Sequence, residues 1–167
     1  MMKRFHIHIA VADLAVNVDF YRRLFEVQPS VIRNDYAKWE LDDPMMNFAI
    51  SSRGHEVGIN HIGVQASTEE ELQNLKHNAF LAASNSVHEQ REATCCYAKS
   101  NKHWLIDPQG IAWEHFHTLD TLNAFGEDNR TESTACCIPM RQSEQEQELC
   151  CLPESTNAGD DSALCCG

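Results

Sequence analysis

The chain has 167 residues, with 13 Lys+Arg against 25 Asp+Glu and a formal net charge of −12. It has room for one ordinary domain, and its charge is the wrong sign for gripping a phosphate backbone or an anionic membrane surface. No stretch approaches the roughly 20 apolar residues of a membrane span, and the opening MMKRFHIHIAVADL breaks its apolar run at His6, His8 and Asp13 without a small-residue cleavage site, so a cytoplasmic protein is expected.

The run HIHIAVAD, His6 to Asp13, alternates apolar and polar residues like a half-buried strand. Asp13 then caps an amphipathic helix reaching about Phe25, with Leu14, Val18, Tyr21 and Phe25 on one face. Short extended pieces follow at about 30–34, 36–41 (YAKWEL) and 46–50. The run HIGVQAST, His61 to Thr68, then repeats the opening layout, because Thr68 stands at the same offset from His61 as Asp13 does from His6. Thr68 and Glu71 form a capping box for a helix to about Ala83. Further extended pieces are expected at about 87–91, 94–98, 103–106 and 111–116, the last two able to form a hairpin around the turn DPQG. Each half reads as a strand, a helix and three strands. The expected fold is therefore α+β, with two tandem βαβββ modules (about 4–50 and 59–118) forming one curved mixed-sheet cleft within a domain of residues 1–120.

Composition changes near Asp120. From 121 to 167 the chain is polar and acidic, with no aromatic residue besides Phe125, and Arg130 and Arg141 face nine acidic residues. Such a segment buries too little apolar surface to offset its chain entropy, so a disordered tail is expected.

The cysteines are arranged as Cys95-Cys96, Cys136-Cys137, Cys150-Cys151 and Cys165-Cys166, all adjacent pairs. Neighbouring cysteines make a strained disulfide that rarely staples a fold, whereas two thiolates side by side suit a soft, thiophilic atom. A single pair could be coincidence or a small buried hydrophobe. Four pairs with no unpaired cysteine argue against both.

A lone strand histidine is more often a satisfied, partly buried residue than a ligand. His6 and His61, however, occupy matching positions of duplicated first strands, and a pseudo-twofold pairing of the modules would bring them together as neutral imidazole ligands. His8 shares a strand face with His6 and is the rival for that position; His6 is preferred because it is the residue that matches His61. A carboxylate is available in DPQGIAWEHF, where Glu114 sits among Ile111, Trp113 and Phe116 and would need a partner if buried. A solvent-facing glutamate on an edge strand is the alternative. Two His and one Glu leave coordination positions open, an arrangement that suits non-haem Fe(II) oxygenases. His103, His115 and His117 are expected to be structural or solvated, with His115 on the strand face opposite Glu114.

The segments HIHIAVADLAVNVDFYRRLF, NHIGVQ and DPQGIAWEHF resemble the duplicated modules of the vicinal-oxygen-chelate superfamily, which includes glyoxalases, bleomycin-resistance proteins and extradiol dioxygenases. The resemblance covers residues 4 to 118. TCCYA, Thr94 to Ala98, followed by KHWLIDPQG is similar to the organoarsenical carbon-arsenic lyases and the cadmium-induced proteins. That resemblance implies an Fe(II) centre at His6, His61 and Glu114, a substrate arsenic held by Cys95 and Cys96, and O2-dependent cleavage of trivalent organoarsenicals to As(III). Members of this group can carry Gln at the first ligand position, so that ligand is permissive. Two rival readings remain: a non-catalytic As(III) or Cd(II) sequestration protein, and another metal-dependent enzyme of the superfamily. A glyoxalase would be expected to bring a fourth ligand, which MMNFAI does not supply; a thiol transferase would share the two-His, one-Glu set.

Overall fold

The computed structural model describes residues 2–83, 86–95 and 97–121. The expectations for the tail and for Cys96 lie outside these residues.

Strand β1 (Arg4–Ala10) leads into helix α1 (Leu14–Leu24), followed by β2 (Val31–Ile32), β3 (Tyr36–Asp42) and β4 (Met45–Ser51). The second module repeats the order with β5 (Gly58–Ala66), α2 (Glu69–Ala82), β6 (His88–Cys95), β7 (Ala98–Ile106) and β8 (Ala112–Thr121). Both helices start where their caps dictate. The Asp13 side chain accepts from the Val16 amide at 3.0 Å, and Thr68 Oγ1 accepts from the Glu71 amide at 3.2 Å. Glu71 reaches back one residue further than a standard capping box, accepting from the Ser67 amide at 2.8 Å.

The strands form one eight-stranded sheet in the order β2-β3-β4-β1-β5-β8-β7-β6. The order is the same in each half when read outward from the centre, where β1 and β5 run antiparallel. Each first strand is flanked on its other side by the last strand of its own module, in parallel: β1 by β4 and β5 by β8. Alternation along the strands divides the two faces. Ile7, Ile9, Trp39, Phe48 and Ile50 turn towards α1, whose Leu14, Val18, Tyr21 and Phe25 pack on them. His6, His8, Asn47 and Lys102 turn the other way, into a cleft lined by both modules.

The second half differs from expectation at residues 94–98. The chain reverses there, since Cys95 at the end of β6 pairs with Ala98 at the start of β7. Tyr97 lies in this turn with φ of 64°, a left-handed conformation that strand periodicity does not signal. The DPQG hairpin forms as read: the Asp107 side chain accepts from the amides of Gln109 and Ile111, each at 2.9 Å, and β7 and β8 pair antiparallel from Ile106 opposite Ala112.

Gly63 on β5 lies opposite Glu114 on β8. A Cβ placed there would sit 1.8 Å from the Glu114 carbonyl oxygen, so only glycine permits this strand spacing. Gly63→Ala is expected to cost on the order of 3 kcal/mol and to lower Tm by roughly 10 °C in a calorimetric scan. A Tm within about 2 °C of wild type would show that the strands separate freely at this position.

Candidate metal centre

Strand alternation presents His6 and His8 from β1, His61 from β5 and Glu114 from β8 to the cleft, all of them buried. The central antiparallel pairing sets His6 opposite Gly63 and His8 opposite His61. The two imidazoles from equivalent positions consequently meet, with Nε2 atoms 3.1 Å apart. Glu114 Oε2 lies 3.6 Å from His6 Nε2 and 3.4 Å from His61 Nε2. One donor atom from each of the three residues falls within 4.8 Å of the others.

The outer nitrogens settle which ring atoms carry protons. His6 Nδ1 lies 3.0 Å from the Asn47 carbonyl oxygen and 3.2 Å from Asn47 Oδ1, and since a carbonyl can only accept, Nδ1 donates. His61 Nδ1 donates likewise to Asn60 Oδ1 at 2.8 Å. The two Nε2 lone pairs and one carboxylate oxygen therefore point at a common position, an arrangement that repels itself unless a cation occupies it. Protonation is a poor substitute, because burial lowers His6 to about 4, against the opposing pull of Glu114. A divalent first-row ion fits this donor set of two imidazoles and a carboxylate.

The other oxygen of Glu114 is already engaged: Lys102 Nζ donates to Oε1 at 2.6 Å. Burial alone would raise the Glu114 carboxyl, but Lys102 and the histidines outweigh it and hold the group well below the usual carboxylate range. The carboxylate is thus ionised and turned so that only Oε2 faces the imidazoles. Rings wall the site, with Phe116 set edge-on 5.2 Å from His6 and Trp104 edge-on 5.0 Å from His61.

The sequence expected His6, His61 and Glu114 to meet, and the fold brings them together. His8 faces the same cleft but sends Nε2 to Ser51 Oγ at 2.9 Å, and it does not belong to the three-donor group. Glu114 is not on an edge, since β8 lies between β5 and β7. His115 faces away from it and pairs with His103, His103 Nε2 lying 2.9 Å from His115 Nδ1. Cys95 closes β6 opposite Ala98, which lines the cleft. Sequence reading missed Lys102 and Asn47. Lys102 was within reach: a hairpin closed at Asp107 places Trp104 opposite Glu114 and Lys102 two pairs further on, diagonal to the carboxylate on the same face. Nothing local to MMNFAI marks Asn47 as the support of a histidine 41 residues earlier.

No protein-family model matches the chain. Over 170 residues it is 34% identical to a trivalent organoarsenical cleaving enzyme of Bacillus sp. (strain MD1), an alignment spanning 98% of this chain and 99% of that protein. The chain belongs to the trivalent organoarsenical cleaving enzyme family. A second relative of this family member is the cadmium-induced protein CadI of Mycobacterium tuberculosis, 29% identical over 154 residues, with 90% of this chain and 93% of the relative covered. Among solved structures, an extradiol ring-cleaving dioxygenase from B. fuscum superposes with a TM-score of 0.54 at 13% identity, covering 71% of this chain and 33% of that one. The family member thus has the fold of the vicinal-oxygen-chelate superfamily. Among the described residues, no helix is long and apolar enough to cross a membrane.

Proposed function

We propose that the chain is an Fe(II)-dependent, O2-using carbon-arsenic lyase that demethylates or dearylates trivalent organoarsenicals to inorganic As(III). The observation that carries this reading is the convergence of His6, His61 and Glu114 in a cleft that also receives Ala98, the strand partner of Cys95. The names of the relatives supply the substrate class.

His6, His61 and Glu114 would hold the metal, three protein donors that fall short of a full coordination set. Fe(II) bound there supplies activation of O2. Cys95 and Cys96 bind the substrate: a trivalent arsenical with two hydroxyls exchanges both for thiolates, forming two As–S bonds and releasing two waters. The tether replaces a bimolecular encounter with a positioned one, and its As–S bonds leave the carbon group free to face the centre. Asn47 keeps the Nδ1 proton on His6, so that Nε2 stays available as a ligand. Lys102 neutralises Glu114 and fixes its rotamer.

Metal-stripped protein reloaded with Fe(II) under air is expected to convert methylarsenite to As(III), whereas Zn(II), being redox-inert, is expected to fill the site without turnover. Equal rates for the two ions, measured by separating arsenic species, would refute an oxygen-dependent lyase. Binding of As(III) with no turnover in the iron form would favour sequestration. Asn47→Leu removes the support of the first imidazole, and Fe(II) affinity is expected to fall by about 10- to 100-fold while the fold is retained. Wild-type affinity in a metal titration would show that packing alone orients His6.

A further inference from the structure

Cys95 and Cys96 immediately precede Tyr97 in sequence, and Tyr97, between β6 and β7, ties this end of the hairpin to the opposite module. The Tyr97 hydroxyl donates to Asp35 Oδ1 at 2.5 Å across 62 residues of sequence. Asp35 Oδ2 accepts from Arg53 Nε at 2.7 Å, and the Asp35 carbonyl accepts from the Ser52 amide at 3.0 Å, so the acceptor is itself held by the chain leaving β4. The Tyr97 ring stands 5.8 Å from that of Tyr36, with the guanidinium carbons of Arg33 and Arg53 at 5.4 and 5.6 Å from its centroid. Tyr36 in turn meets His8 edge-on at 6.1 Å, and His8 meets His61 at 4.8 Å. A run of ring contacts therefore joins the cysteine turn to a residue of the metal centre.

This turn ends the outermost strand pair of the second module, since β6 is the sheet edge. Its left-handed Tyr97 is a conformation that persists for a bulky residue only where the surroundings hold it. We infer that Asp35, buttressed by Arg53, is a positioning residue that anchors the Tyr97 hydroxyl and thereby fixes the start of β7, where Ala98 lines the cleft, as the attachment point of the two cysteines that precede Tyr97 in sequence. The inference rests on the proposed function, in which the two thiols tether the substrate arsenic. The thiols supply the bonds to arsenic; the anchor decides where those bonds sit. Misplacing a tethered substrate by about 1 Å can cost on the order of 100-fold in rate. Asp35 answers electrostatically as the anchor requires: burial acts to raise its carboxyl, but the hydrogen bonds from Arg53 and Tyr97 outweigh it and keep the group ionised below its ordinary range.

The test uses the full-length, iron-loaded protein and methylarsenite. Tyr97→Phe keeps the ring and deletes only the hydroxyl; Asp35→Asn removes the charge that holds it. Both variants are expected to lower kcat by about 10-fold with KM changed less than about 2-fold, because the As–S bonds are intact while their placement is not. Fe(II) affinity is expected to stay at the wild-type level, and amide exchange is expected to quicken at residues 97–99 but not in β1 or β5. The double variant is expected to be no slower than the slower single one, since both act through one bond. Wild-type kcat in Tyr97→Phe overturns the inference whatever the exchange shows, as does a double variant whose losses multiply or a rate loss matched by lost Fe(II) affinity. If wild-type protein fails to turn over at all, the functional reading falls, and exchange at this turn alone decides whether the anchor exists.

Discussion

If Glu114 is the anionic ligand of the proposed Fe(II) centre, Glu114→Gln is expected to lower Fe(II) affinity by more than about 100-fold, with loss of turnover to match, because an amide offers only a neutral oxygen. The same change strips Lys102 of its counter-charge. Lys102 and Glu114 are both buried and their charged atoms are 2.6 Å apart, and removing one member of such a pair costs about 3–5 kcal/mol. A drop in Tm should therefore accompany the loss of metal. The two effects can be separated by adding Lys102→Met, which removes the orphaned ammonium while keeping its apolar stem. The double variant is expected to recover most of the stability and none of the metal. Metal content and thermal denaturation of the two variants provide the check. Wild-type iron content in the Glu114→Gln, Lys102→Met protein would mean that Glu114 is a structural anion for Lys102 and no ligand.

Changing Cys95 and Cys96 to Ser is expected to abolish turnover, a fall of at least about 1000-fold if tethering supplies the effective concentration that positioned reactants gain. Iron binding should survive, since His6, His61 and Glu114 are untouched. Some As(III) binding should survive as well, through Cys136-Cys137, Cys150-Cys151 and Cys165-Cys166. Changing those six tail cysteines instead is expected to lower arsenic bound per chain and to preserve turnover, because in the proposed function the substrate is tethered by Cys95 and Cys96. The pair of measurements is As(III) produced per iron and arsenic bound per chain. Sustained turnover in the Cys95, Cys96 variant would remove the proposed substrate site from this hairpin. A folded tail-cysteine variant without turnover would move the essential thiols to residues 136–166.

Residue pattern alone foretold two strand-helix-three-strand modules in the observed order, though not the bounds of β6 and β7. The seven-residue offset from His6 to Asp13 and from His61 to Thr68 marked two equivalent strand-cap-helix units, and both caps form as local chemistry requires. The apolar stripe of α1 foretold its packing face, and DPQG foretold the β7–β8 hairpin. The two histidines were legible because a repeat makes positions comparable without any contact map, and Glu114 because a charged residue among Ile111, Trp113 and Phe116 calls for a partner if buried. The turn at residues 95–98 was not, since the run TCCYA has no glycine or proline to break its extended pattern and the left-handed residue is a tyrosine. Tertiary structure alone decided the rest. It paired β1 with β5 so that two distant imidazoles face each other, and it sent His8 to Ser51 while His6 joined the centre. It also supplied Lys102 and Asn47 as the supports of two of the three donors, and it drew Tyr97 across to Asp35. Most of these contacts join residues tens of positions apart. Local propensity and strand or helix periodicity are blind to that separation, and only the assembled sheet, with its buried polar groups each requiring a partner, selects among the side chains that could have met.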